Sequence, residues 1–122
     1  MLDIILLGTA GKVPLPKRNL SSAMLSYNGG NLLIDCGEGT QMAIRKNNKK
    51  AKAIDAICIT HFHADHTSGL TGVLLAIANA GREKELAILG PAGIDKIINA
   101  ALVVIPKLPF QIKTVEVKSG KN

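Results

Sequence analysis

His61, His63 and His66 are the only histidines in the 122-residue chain, and all three lie in Thr60-His61-Phe62-His63-Ala64-Asp65-His66. Neutral imidazole nitrogen and carboxylate oxygen are the natural ligands of zinc and related divalent ions. A lone histidine would more simply cap a helix, but His-x-His-x-Asp-His gathers four donors in six residues and reads as a metal site. Along extended backbone, residues two apart point the same way, so His61 and His63 can reach one ion from one face. Asp65 continues that spacing and His66 is offset. A helix beginning near Asp65 would turn the chain there, so that the loop seeds two sites, His61 with His63 and Asp65 with His66. Two ions roughly 3.5–4 Å apart can clamp a phosphoryl group and activate the attacking water. Asp65 could also hold or deprotonate that water, and the ligand and base roles are compatible.

Such a loop needs rigid elements on both sides. The apolar run Ile54 to Thr60 reads as a buried strand that delivers it. Beyond it, Leu70, Val73, Leu74, Ile77 and Ala78 recur at helical spacing, which predicts a helix over 67–80 ended by Gly81. Upstream, Asp3 to Leu7 is a strand entering the turn Gly8-Thr9-Ala10-Gly11, and two prolines keep Val13 to Asn19 extended. Ser22 to Tyr27 and Asn31 to Cys36 form a hairpin about Asn28-Gly29-Gly30. A short helix follows from Thr40, near its N-terminal cap, to about Asn47. Arg45, Lys46, Lys49, Lys50 and Lys52 cluster across its end, where they suit the helix dipole or face RNA. Leu86 to Leu89 is a further strand. A helix over 94–104 should bury Ile94, Ile97, Ile98, Ala101, Leu102 and Ile105, before Pro106 and Pro109 break it. Gln111 to Val117 alternates in strand fashion. The fold class is therefore α/β, a layered sheet covered by helices with the site at strand ends. The opening hairpin and the lack of Gly-x-Gly-x-x-Gly disfavour a Rossmann sheet.

The length suits one domain or part of one. The chain is 47% hydrophobic but has one Tyr, two Phe and no Trp, so its core must be aliphatic. A net charge of +6 favours an anionic partner such as nucleic acid, or a merely solvated lysine-rich surface. Cys36 and Cys58, both in apolar runs, read as small buried thiols of a reducing compartment. Met1 to Leu7 lacks a basic leader, and no apolar run nears the roughly 20 residues of a membrane span. A cytoplasmic location is expected.

The histidine loop, followed by Ser68-Gly69-Leu70, resembles the signature of the metallo-β-lactamase superfamily. Asp35-Cys36-Gly37-Glu38-Gly39-Thr40-Gln41 narrows the resemblance to the tRNase Z (ribonuclease Z) family. Leu6-Leu7-Gly8-Thr9, Arg18-Asn19 with Ser21-Ser22, and Gly90-Pro91-Ala92-Gly93 extend it from the N-terminus to about residue 118. The resemblance implies an αββα sandwich, of which these residues are the N-terminal half of one domain. It implies a two-zinc endoribonuclease, with manganese as the other candidate ion, that removes 3′ trailers from precursor tRNA. His61 and His63 would bind one ion and Asp65 and His66 the other, with Asp65 the proton acceptor and Lys17, Arg18 and Asn19 near the tRNA acceptor end. That family completes its site with a later histidine, a bridging aspartate and a final histidine, whereas this chain has no histidine after His66. Two protein ligands per ion fall short of the usual three, so 122 residues alone should not form an efficient nuclease. A half-sandwich should also expose an apolar face and become dimeric, aggregated or partner-bound. Two other readings remain: a metallo-β-lactamase-fold hydrolase of a small phosphodiester, sulfate ester or thioester, and a non-catalytic half-domain that binds metal weakly or pairs with another chain.

Overall fold

The computed structural model describes residues 2–8, 22–62, 64–105 and 107–118, with residues 64 and 65 described in backbone only. β1 (Leu2–Gly8), β2 (Ser22–Tyr27) and β3 (Gly30–Ile34) form an antiparallel meander. Asn28 and Gly29 make the β2–β3 turn with φ of 48° and 83°. Two positive φ values in a two-residue loop match the twist of the flanking strands. From β3 the sheet continues in parallel through β4 (Ala56–Cys58), β5 (Leu86–Gly90) and β6 (Ile112–Glu116). The strand order follows the sequence, β1 to β6.

Each parallel step carries helix. α1 (Thr40–Lys46) and a 3-10 turn at Ala51–Ala53 join β3 to β4. α2 (Ala64–Thr67) and α3 (Leu70–Asn79) join β4 to β5, and α4 (Ile94–Val104) joins β5 to β6. Parallel crossovers are right-handed, and three successive steps in one direction put every helix on the same face of the sheet. That face is the core. Met24, Leu33, Ile57 and Ile88 are register neighbours across β2 to β5 and are sealed beneath Ile44, Val73, Leu74, Ile77, Ile94 and Ile98. The predicted stripe of α4 is in place, with Ile94, Ile98 and Ile105 buried and Ile97, Ala101 and Leu102 packed against them.

The opposite face is nearly as apolar and is not covered by any described residue. Its rows run Ile4-Leu25-Leu32-Ala56-Ala87-Lys113 and Leu6-Ala23-Ile34-Cys58-Leu89-Val115. None of these is buried, and Ile4 and Leu6 are 61% and 67% exposed. The half-sandwich expected from the sequence is what the sheet presents.

Several boundaries differ from expectation. The helix predicted over 67–80 starts only at Leu70, because Ser68 and Gly69 turn after the short α2 where Gly69 meets the 35–37 loop. Thr40 opens α1 beside its cap, as expected: Gly39 holds the cap at φ 91°, and the Thr40 hydroxyl donates to the Gly37 carbonyl at 2.6 Å. β3 stops at Ile34, since Asp35 adopts a left-handed φ of 62°. β4 is only three residues of the expected 54–60 run. Cys58 lies on the open face and is half-buried. Pro106, predicted to break α4, lies outside the described residues. Gly81, at φ 88°, ends α3 as expected, with Arg82 N–H donating back to the Ile77 carbonyl.

Arg82 is a loop cation that is 5% exposed. Its guanidinium donates to the carbonyls of Lys52, Ile54, Lys84 and Glu85, tying the entry of β4 to the entry of β5. Arg82→Met should lower stability by about 2–4 kcal/mol, because it strands several buried acceptors. Urea unfolding followed by circular dichroism measures this, and a loss below about 1 kcal/mol would contradict the clasp. The open face should make the 122-residue chain self-associate, as light scattering after size exclusion would show. Leu25→Lys with Ile34→Lys should raise the monomer fraction, whereas a monodisperse wild-type monomer would count against an unsatisfied face.

Candidate metal centre

The histidine loop leaves the C-terminal end of β4 beside the end of β3, at the edge where parallel strands commonly present their chemistry. Two backbone hydrogen bonds join it to the 35–41 stretch: Cys36 N–H to the His66 carbonyl at 2.7 Å, and Gly69 N–H to the Cys36 carbonyl at 2.6 Å. The approach is so close that a β-carbon at position 69 would lie 2.1 Å from the Gly37 carbonyl oxygen. Only glycine fits. Phe62 packs its ring against Gly93, where a β-carbon would sit 3.4 Å from Cε2, and so anchors the loop to the turn between β5 and α4.

Asp35 is the hub. Its carboxylate is buried at the end of β3 and accepts the Thr60 N–H at 2.7 Å and the Thr60 hydroxyl at 2.8 Å. It also receives His66 Nδ1 at 2.8 Å. A carboxylate only accepts, so Nδ1 of His66 carries the hydrogen and Nε2 carries the ring lone pair that a metal would take. The Thr60 hydroxyl spends its one hydrogen on Asp35, so it accepts from His61 Nδ1, 3.2 Å away. His61 thereby takes the same tautomer. The two rings stand 3.7 Å apart between centroids, tilted by 51°. One buried carboxylate thus orients two imidazoles, one directly and one through a hydroxyl.

This donor set fits a divalent metal ion. His61 and His66 are the predicted ligands that the structure brings together. His63, the side chain of Asp65, and Lys17, Arg18 and Asn19 lie outside the described residues. Among the described residues no three such donors converge. Neither cysteine joins the site as a thiolate. Burial, and then the Asp35 charge, push the Cys36 thiol far above its ordinary range, and the same two causes raise Cys58. Both therefore stay protonated at neutral pH. The orienting roles of Asp35 and Thr60 escaped the sequence reading. The available signal was a carboxylate inside Leu32-Leu33-Ile34-Asp35-Cys36, since a charge in a buried run needs partners.

A sheet with helices on one face and a histidine loop at its strand ends defines the chain as one of metallo-β-lactamase fold. The structure superposes on the metallo-β-lactamase-fold protein YhfI of Bacillus subtilis with a TM-score of 0.78 at 21% identity, covering 98% of this chain and 46% of that one. It superposes on human tRNase Z, short form (ELAC1), with a TM-score of 0.84 at 37% identity, covering 95% and 44%. The family model for the anti-Pycsar protein Apyc1 matches residues 2–102, and the chain belongs to that family. It is also similar throughout to ribonuclease Z, as residues 35–41 led us to expect. It is 54% identical to the enzyme of Agathobacter rectalis over 116 residues, 95% of this chain and 38% of that protein. It is 50% identical to that of Lachnospira eligens over 122 residues, 100% and 40%. The chain thus spans about two fifths of the length of these relatives.

Asp35→Asn keeps the size of the side chain but replaces one acceptor oxygen by a donor, and so cannot serve both Thr60 and His66. Zinc affinity, titrated against a chromophoric chelator, should fall about 10- to 100-fold with the circular dichroism spectrum unchanged. Wild-type affinity in this variant would show that the histidines orient themselves.

Proposed function

We propose that these residues are the N-terminal part of a single metallo-β-lactamase-fold domain in an endoribonuclease that removes 3′ trailers from precursor tRNA. The observation that carries this is identity of about half over the whole chain to proteins named ribonuclease Z, with residues 35–41 hydrogen-bonded into the histidine loop. His61 and His63 would hold one ion, and Asp65 and His66 the second. Zinc, or manganese in its place, supplies Lewis acidity toward the scissile phosphate and toward the attacking water. Asp35 and Thr60 hold the imidazoles in register, so their Nε2 atoms need not reorganise during the reaction. Asp65 accepts the proton of the attacking water. Lys17, Arg18 and Asn19 contact the acceptor end of the tRNA. The rest of the site comes from residues C-terminal to Asn122, and a second sheet from the same region covers the open apolar face. Protonated, unpaired thiols agree with a reducing cytoplasm, and no helix among the described residues is long and apolar enough to cross a membrane. The working unit is a homodimer.

A second reading rests on the family model, whose name is not that of a ribonuclease. It is a hydrolase of small phosphodiesters built on the same site.

Incubation with a 3′-extended tRNA transcript separates the two. The complete protein should release the trailer, and His63→Ala should slow this by more than about 100-fold. The 122-residue chain alone should be inefficient. Metal-dependent cleavage by that short chain, lost in His63→Ala, would refute the half-site. Turnover of a small diester with no action on precursor tRNA would establish the second reading.

A further inference from the structure

The positive charge of the chain is concentrated in one segment. Between Gly39 and Ile54 there are five cations, Arg45, Lys46, Lys49, Lys50 and Lys52, and no acid. The remaining residues carry almost balanced charge. Arg45 and Lys46 close α1 and suit its C-terminal dipole. Lys49, Lys50 and Lys52 lie past the helix, where the dipole does not account for them. Among the described residues the one ion pair joins His66 to Asp35, so none of the five is matched to a carboxylate.

Four of these cations, Arg45, Lys49, Lys50 and Lys52, line a groove of about 510 Å³ between α1, the 3-10 turn and α3, together with Gln41 and Asn79. Its floor includes Ala76 and Ala80, whose small side chains leave room for a backbone to lie down. The amides of Gln41 and Asn79 add neutral hydrogen-bonding groups to the lining. No aromatic side chain lines it, so base stacking has no platform there. The 3-10 turn feeds the N-terminal end of β4, and the histidine loop leaves its C-terminal end. Extended chain from Ile54 to Thr60 separates the two by roughly 20 Å.

We infer that this groove is a docking site for the phosphodiester backbone of RNA, remote from the metal centre and indifferent to base sequence. The inference rests on the ribonuclease reading above for the choice of RNA over other polyanions. Unpaired lysines around a shallow, non-aromatic channel grip phosphates through counterion release, which supplies affinity without sequence information. Separation from the histidine loop means that the groove holds the body of the substrate while the scissile bond lies at the other end of the sheet.

The test is binding of a fluorescent precursor tRNA transcript to the protein, with metal chelated so that no cleavage occurs, over a range of salt concentrations. In K49A/K50A/K52A, affinity near physiological salt should fall about 10- to 100-fold and the slope of log affinity against log salt should flatten by about 2 to 3. K49R/K50R/K52R should bind like wild type, and so should K96A/K107A/K113A, which removes equal charge elsewhere. Zinc content and melting temperature should be unchanged in all three. An unaltered salt slope in K49A/K50A/K52A, or an equal loss in K96A/K107A/K113A, would overturn the groove. So would displacement of the RNA by polyglutamate but not by unlabelled tRNA, which would point to an acidic protein. Failure of the parent reading looks different: the complete protein would bind RNA through these lysines yet leave trailers uncut once zinc is restored.

Discussion

A right-handed crossover taken three times in one direction determines what this chain can be. It sends α1, α3 and α4 to the same face of the sheet, where they seal a core of Leu, Ile and Val with few aromatics. The strands between them are short and apolar on both sides, as parallel strands covered on two faces usually are. The same handedness leaves the other face, with Ile4, Leu25, Leu32 and Ile34, uncovered by any described residue. The sheet is thus apolar on both sides but sealed by described helices on only one. The same crossovers bring the loops after β3, β4 and β5 to one edge, so the geometry that exposes the apolar face also assembles the histidine site.

At that edge the Asp35 carboxylate does for the loops what the helices do for the sheet. It is buried, and a buried charge is tolerated only when fully hydrogen-bonded. Thr60 and His66 meet that requirement, and in doing so both loops lose their freedom. Its left-handed backbone at φ 62° carries strain that aspartate bears better than most residues. Gly69, pressed against Gly37, removes the remaining slack. Metal ligands on mobile loops would have to be ordered by the ion itself; here part of that ordering is done by protein contacts before an ion arrives.

Local chemistry explains which features were legible in the sequence. The Asn28-Gly29 turn, the helix over 94–104 and the end of α3 at Gly81 depend on neighbours within a few residues, and their patterns announce them. The histidine loop was legible for the same reason. Contacts across the fold left fainter marks. Helical spacing runs from Thr67 to Ala80 without interruption, and the break at Ser68–Gly69 is imposed by the 35–37 loop, more than thirty residues away. Arg82 reads as a surface cation beside a glycine, yet four carbonyls from two segments fold around it. Asp35 reads as one member of a motif, and only its distances reveal the hub. The apolar run 54–60 suggests a long strand, but β4 spans only Ala56–Cys58, with the Asp55 carboxylate accepting the Asn31 backbone N–H before it and Thr60 donating to Asp35 after it.

The charge distribution follows the same division between the ends of the sheet. At the C-terminal ends of β3 and β4, Asp35 absorbs the hydrogens of Thr60 and His66. At the N-terminal end of β4, lysines stand without an ion-pair partner among the described residues, the Asp55 carboxylate accepting the Asn31 N–H instead. On the helical layer Met42 of α1 is 54% exposed, and the Gln41 side chain lies over Gly72 of α3. A bulky side chain at Gly72 would displace Gln41. The helices that close the core thus also carry the cationic groove, at the opposite end of β4 from the histidine loop.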